Sequence, residues 1–239
     1  MTDDKRAAAA RAGSPSSQTL SRGLTALELL AEADTALTIA ELSARLGLHR
    51  SITYRIVRTL EDHRLVVRDP AGALTLGPRL AALARSVSRD LQAVALPELT
   101  KLANTLQMTA FVAVLDGNDV TTLVSVEPRQ PHATVAQRPG TQHSIAVGAP
   151  GAAIRSILTS SERAALAAPD LPAADVNTRG YAFSHDEVIK GLASVAVPLR
   201  IDGHPPAALA VVYLHREVDT DALATTLESA ARSIQQSLA

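Results

Sequence analysis

The sequence predicts an α+β protein in two parts: a small helical N-terminal domain that ends in a hairpin, then a larger domain mixing strands and helices. Three observations carry that prediction. Apolar residues recur at helical spacing in three short segments between Ser21 and Leu60, and a hairpin follows directly. Farther along, two more hairpins alternate with helical patterns, which suggests an antiparallel sheet flanked by helices. The 239 residues, 46% apolar and 20% charged, supply enough chain for two cores.

Residues 1–18 are rich in Ala, Ser and charge without apolar periodicity, and are expected to be a disordered arm. The first helix is expected over about Ser21–Glu32, with Leu20, Leu24, Leu27 and Leu30 or Ala31 on one stripe. Thr38-Ile39-Ala40-Glu41 has the form of a capping box, so a second helix starts at Thr38, with Ile39, Leu42 and Leu46 buried and Gly47 as its stop. A third helix carries Ile52, Ile56 and Leu60 at four-residue spacing. Leu65-Val66-Val67, the turn Asp69-Pro70-Ala71-Gly72 and Leu74-Thr75-Leu76 read as a short hairpin. Three helices and a hairpin in so short a stretch form a winged helix-turn-helix, placed at residues 19–77.

A linker helix is expected over 78–92, with Leu80, Leu83, Val87 and Leu91 in line, and Pro97 fits the first turn of another helix. Residues 93–239 form the second domain. Thr109–Leu115 and Val120–Val126 flank Asp116-Gly117-Asn118-Asp119, a hairpin signal. A small-residue helix is expected at Gly151–Leu158, and a short one from Ser161. Ser184-His185-Asp186-Glu187 reads as the start of a helix ending at Gly191. Leu192–Arg200 and Ala207–Leu214 form another hairpin, and a last helix runs from Asp219 to the end.

The net charge of −1 is uninformative, but its distribution is not. Between residues 45 and 68 six arginines face two acids, whereas from residue 78 onward 13 basic residues face 15 acidic ones. A local basic patch in a neutral protein is the footprint of a DNA-contacting element. With Ile56 at the centre of the buried face and ~100° per residue, Tyr54 and Arg58 point outward. Arg50, Ser51 and Arg55 flank them, and Thr53 lies at the edge. Arginine pairs bidentately with guanine or clamps phosphate, and hydroxyls reach phosphates or base edges. Arg68 on the wing and Thr38 at the second helix start are candidate phosphate contacts. A solvated basic face on a protein-binding winged helix is the alternative.

The chain is similar to the isocitrate-lyase-regulator (IclR) family of bacterial transcription factors over about nine tenths of its length. The resemblance rests on Leu42-Ser43-Ala44-Arg45-Leu46-Gly47-Leu48, on Ser51–Leu60, on Leu65–Pro70 and on Leu76-Gly77-Pro78-Arg79-Leu80. Farther on it rests on His143–Gly148, Arg179-Gly180-Tyr181-Ala182 and Gly191–Pro198. It implies a GAF-like C-terminal domain that binds a small-molecule effector and alters binding to duplex DNA, most often as a repressor. It also implies a homodimer or homotetramer, and a dimer reads a palindromic operator. Ala146, Val147, Gly148, Ser184, Ser194, Ala210 and Val212 are the effector-site residues it implies, and Phe111 is added from strand alternation. The chain departs from the family in having Gly148-Ala149-Pro150 where a lysine is common, and in having Ser184 where acid-binding members place an acid. A less polar pocket favours a weakly polar effector; a collapsed, empty pocket is the alternative.

Cysteine is absent, which excludes thiolate metal sites and cysteine nucleophiles and suits the cytoplasm. No apolar run is long enough to span a membrane. The seven histidines form no His-x-x-x-His pair, so no metal site is expected, and His143 is either a pocket residue or a structural hydrogen-bond partner. No nucleophile elbow, phosphate loop or dinucleotide fingerprint is present, so no catalytic residue and no cofactor is expected, and the chain is not read as an enzyme.

Overall fold

The computed structural model describes residues 17–129, 135–166, 171 and 180–239. The arm expected over 1–18 lies outside these residues, except Ser17 and Gln18, which belong to the first helix. Arg179, part of one resemblance block, also lies outside them. The chain divides into two compact units, one ending at Val87 and one beginning at Ser88.

The first unit holds helices α1 (Gln18–Glu32), α2 (Ile39–Leu46) and α3 (Arg50–Asp62). Helix α1 starts three residues before the expected point because the Ser17 hydroxyl accepts the Leu20 amide. Its buried stripe is Gly23, Ala26 and Leu30, whereas Leu20 and Leu24 are 62% and 51% exposed. The expected stripe is therefore rotated: small Gly23 and Ala26 let α1 lie close to its neighbours, with the added Cβ at Gly23 only 3.9 Å from Ile56. The capping box at α2 forms as read, and Gly47 closes the helix at φ +63°.

Strands β1 (Leu37–Thr38), β2 (Val66–Arg68) and β3 (Ala73–Leu76) make the wing, in the order β1-β3-β2. The hairpin is as expected; the two-residue β1 is an addition that sequence patterning misses because it is too short to alternate. Asp69 fixes the turn by accepting the Ala73 amide at 2.8 Å, and Gly72 takes φ +88°. Leu37, Leu42, Val57, Val66 and Leu74 fill the core beneath.

The linker expected as one helix over 78–92 is two: α4 (Arg79–Ala84) and the start of α5 (Arg89–Leu106). They are separated at Ser88, which is left-handed at φ +42°. Leu83 and Val87 are half exposed, whereas Leu91 is buried in the second unit. Pro97 lies inside α5, not in its first turn. The buried stripe Leu91, Ala95, Leu99, Leu102 carries the helix through the missing amide, outweighing a penalty of ~3 kcal/mol for interior proline.

The second unit is a six-stranded antiparallel sheet in the order β6-β5-β4-β9-β8-β7. Its strands are β4 (Thr109–Asp116), β5 (Asp119–Val126), β6 (Gln142–Ser144), β7 (Ala182–His185), β8 (Leu192–Leu199) and β9 (Ala207–Leu214). Helices α5 and α8 (Thr220–Ser237) pack on one face, against Val112, Val195, Leu209 and Val211. Helix α6 (Gly148–Ser156) packs on the other, against Phe111, Ala113, Ala196, Ala208 and Ala210. The alanines let α6 approach closely; at Gly151 an added Cβ would stand 2.6 Å from the Ile145 carbonyl oxygen. The short helix α7 (Ser160–Ala165) has its own capping box from Thr159 and Glu162.

The helix expected from Ser184 to Gly191 does not form. Residues 182–185 pair instead with Ala193–Ala196 as β7, alternating buried and exposed. Asp186 then turns at φ +59° and accepts the Gly191 amide, so its carboxylate closes a loop rather than capping a helix. Among the described residues no helix is long and apolar enough to cross a membrane.

Candidate nucleic-acid interface and effector cavity

Helix α3 is aimed by its buried side. Ile56, Val57 and Leu60 enter the core of the first unit. Thr53 goes with them: it is fully buried, 3.1 Å from the Ser43 hydroxyl, which itself donates to the Leu48 carbonyl. Thr53 is thus withdrawn from the outward face, where it was expected at the edge, because the crossing of α2 and α3 needs its hydroxyl inside. Arg50, Ser51, Tyr54, Arg55 and Arg58 are all exposed on the opposite side.

Two side chains organise that face. His49 caps α3: its Nδ1 accepts the Ser51 amide at 3.4 Å and stands 3.0 Å from Ser51 Oγ. Histidine is not a preferred cap, so the sequence carries no signal for this role. On the wing, Arg68 donates to both carboxylate oxygens of Glu61, at 2.9 and 3.2 Å, and its guanidinium lies 5.6 Å from the Tyr54 ring centre. Arg68 is therefore committed to Glu61 and Tyr54 rather than free beside the face.

Thr38 is exposed at the start of α2, and its hydroxyl donates to Glu41 at 2.8 Å. The Thr38 amide, then its hydroxyl, hold the Glu41 carboxyl below the usual carboxylate range. A groove of about 560 Å³ runs between α1 and α3, bordered by Leu20, Gly23, Ile52, Arg55 and Thr59.

In the second unit a cavity of about 70 Å³ opens where α6 begins. Of the expected effector residues, Phe111, Gly148, Ser184, Ser194 and Val212 line it. Ala146, Val147 and Ala210 are not on its wall; Ala210 is fully buried among the alanines facing α6. Gln137, Thr141, His143 and Glu187 add polar side chains that the sequence reading had not brought together there, although His143 had been considered. His143 fills both roles weighed for it, lining the cavity while its Nδ1 lies 3.0 Å from the Ser144 carbonyl.

The start of α6 is capped from far away. Val147, its N-cap, offers no side-chain acceptor. The Gly148 amide donates to Glu187 Oε2 at 2.7 Å and the Ala149 amide to Ser184 Oγ at 2.8 Å, while Pro150 has no amide to satisfy. Only glycine suits position 148, where φ is +79° and an added Cβ would meet Val188 at 2.9 Å. Ser194 donates to the Val211 carbonyl at 2.9 Å, leaving its oxygen as an acceptor on the wall.

Residues 19–70 match the IclR helix-turn-helix domain. The chain is 29% identical over 235 residues to the HTH-type transcriptional regulator XynR of Escherichia coli, covering 90% of this chain and 93% of that protein. The match to the regulator Rv1719 of Mycobacterium tuberculosis is 32% identical over 47% of this chain, and spans 44% of that protein, less than half its length. Among solved structures, the fold resembles an IclR transcriptional regulator from Alicyclobacillus acidocaldarius at TM-score 0.79 and 25% identity, covering 94% of this chain and all of that one. It also resembles an IclR homologue from Microbacterium hydrocarbonoxydans solved with 4-hydroxybenzoate, at TM-score 0.76 and 23% identity, covering 92% and 99% of the two chains. Residues 19–70 thus form an IclR helix-turn-helix domain, and both units together resemble IclR-type transcriptional regulators along nearly the whole chain.

Proposed function

We propose that α3 reads duplex DNA through Arg50, Ser51, Tyr54, Arg55 and Arg58, and that the second unit senses a small organic effector and shifts operator binding, the protein acting as a repressor. The observation that carries this reading is the exposed face of α3. Three arginines stand on it with no acid among them, on a helix whose other side is fixed in the core. Such a face supplies both phosphate neutralisation and bidentate base contacts. Thr38 stands at the start of α2, where a phosphate contact fits the docking of helix-turn-helix domains.

The protein works as a homodimer on a palindromic operator, without a catalytic step. The exposed Leu20 and Leu24 of α1 support the dimer, because such a pair on one helix face gains by covering. The apolar part of the cavity wall, Phe111, Pro150, Leu192 and Val212, supports a weakly polar effector. 4-Hydroxybenzoate, held by the Microbacterium relative, is the first compound to test.

A gel shift with the DNA flanking the protein's own gene tests the core of the reading. The double change Arg55→Ala and Arg58→Ala abolishes the shifted band while leaving the melting temperature unchanged. Retained affinity in that variant overturns the assignment of the reading face.

A further inference from the structure

We propose that Tyr54 reads a thymine by its 5-methyl group in the major groove, and that Arg68 and Glu61 are positioning residues that hold the tyrosine ring ready for that contact. The proposal rests on the DNA-reading assignment of α3 given above and names the base that one of its side chains selects.

The first ground is where the chain places its aromatic residues. Tyr54 is the only aromatic among the first 110 residues, and the core of the first unit is built without one. It stands 45% exposed on the basic face, whereas the other two tyrosines, Tyr181 and Tyr213, are buried. A ring left in water contributes little to the fold through burial. It gains when a partner brings an apolar group to cover it.

The second ground is how the ring is held. Glu61 follows Tyr54 by seven residues on α3, so the two lie ~20° apart around the helix and ~10 Å apart along it. Arg68, entering from β2, bridges them. Its Nε and Nη2 donate to the two carboxylate oxygens of Glu61 at 2.9 and 3.2 Å, and its guanidinium carbon lies over the Tyr54 ring, 5.6 Å from the centre. Two parallel bonds fix the plane of the guanidinium as well as its place. The Arg68 and Glu61 side chains are only 28% and 27% exposed, so water competes less for this pair than for an open surface one. The guanidinium attracts the ring it overlies and leaves the rest of it open. A ring already ordered in the free protein loses less entropy when DNA arrives.

The third ground is chemical. Among the donors and acceptors that base pairs present in the major groove, the thymine methyl is the apolar mark. Arg50, Arg55 and Arg58 suit phosphate or guanine, and Ser51 offers a hydroxyl; on this face only Tyr54 offers an apolar surface to a methyl. The arginines supply affinity, and the ring supplies a choice of base that charge alone does not make.

The test uses the full chain and the DNA flanking its own gene, synthesised once with thymidine and once with deoxyuridine throughout, so that the two fragments differ only in their 5-methyl groups. Gel shifts compare the wild type, Tyr54→Phe, Tyr54→Ala, Glu61→Gln and Arg68→Met, with melting curves confirming that each is folded. The wild type and Tyr54→Phe bind the thymidine fragment about fourfold more tightly for each methyl covered. Tyr54→Ala loses that preference. Glu61→Gln and Arg68→Met reduce it, and Glu61→Gln does so while total affinity at low salt rises, a split that a loss of folding does not produce. A preference as large in Tyr54→Ala as in the wild type, or none in the wild type, overturns the methyl reading. An unaltered preference in both Glu61→Gln and Arg68→Met overturns the positioning role. Equal loss of affinity in Tyr54→Phe and Tyr54→Ala assigns the contact to the hydroxyl and sinks the proposal as well. Failure of the wild type to shift either fragment removes the reading-face assignment along with it, whereas shifted bands without a methyl preference leave that assignment standing.

Discussion

The hydroxyls of Ser43 and Thr53 lie 3.1 Å apart inside the crossing of α2 and α3, both buried. That pair sets the angle at which α3 leaves the core. Thr53→Val keeps the shape and removes the hydroxyl, leaving Ser43 with only its bond to the Leu48 carbonyl. Loss of one buried hydrogen bond costs on the order of 1 kcal/mol. Urea denaturation should show that loss, and DNA affinity of the folded variant should change far less than it does for Arg55→Ala. A large fall in affinity at unchanged stability would return Thr53 to the reading face.

Glu61 pairs with Arg68 at 2.9 Å beside the exposed face of α3. Replacing Glu61 with Gln removes one negative charge beside the basic face and loosens the arginine. Each additional phosphate neutralised steepens the dependence of log affinity on log salt by about 0.9. Glu61→Gln should steepen the slope by close to one such increment and tighten binding at low salt. A gel-shift series across salt concentrations measures it; an unchanged slope means that Arg68 stays clear of phosphate even when released.

Gly77 is required by contact rather than by a turn. Its amide donates to the Leu65 carbonyl at 2.7 Å, and an added Cβ would fall 2.2 Å from the Arg64 carbonyl oxygen, a backbone atom that cannot move aside alone. Gly77→Ala should destabilise the first unit by roughly 1–3 kcal/mol, the usual cost of forced overpacking. Differential scanning calorimetry would show the first unit melting earlier with the second unaffected.

The Arg200 guanidinium, followed by the Thr159 amide and hydroxyl, holds the Glu162 carboxyl down to about 2 from its usual 4.5. A depressed folded-state value means that the unfolded chain binds the proton more readily. The stabilisation is complete above about pH 4.5 and fades as pH falls toward 2. Denaturation midpoints measured at pH 6 and pH 3 should therefore drop more for the wild type than for Glu162→Gln. Equal drops would show that the Arg200 pair is not held in solution.

Local signals in the chain foretold most of the first unit. The Thr38 capping box, the Gly47 stop, the Ile52–Ile56–Leu60 stripe and the Asp69–Gly72 turn all depend on residues within a few positions of one another, and each forms. Where small residues do the burying, hydrophobic spacing misleads: the stripe of α1 turns on Gly23 and Ala26, and the two leucines it seemed to need face outward. The second unit was legible where strands pair with their neighbours in sequence, as in β4–β5 and β8–β9. The residues 184–187 satisfied a helix-start pattern, but pairing of Ser184 with Ser194 on β8 overrode it. Five of the eight residues expected from the resemblance and strand alternation line the cavity; Glu187 and Gln137 were not among the eight, because only the folded sheet brings them to it.

The remote capping of α6 has a consequence for how the protein is made. A chain emerges from the ribosome N-terminus first, at ~5–20 residues per second. The amides of Gly148 and Ala149 are exposed to solvent until residues 184 and 187 have followed them out, a delay of 35 to 39 residues and so of seconds. For that interval the segment Gly148-Ala149-Pro150-Gly151 has neither its acceptors nor the β8 and β9 surface it lies on, whereas the winged helix, complete by residue 76, has every partner it needs. The newborn polypeptide thus completes its winged helix well before the second unit can close around its own helix start.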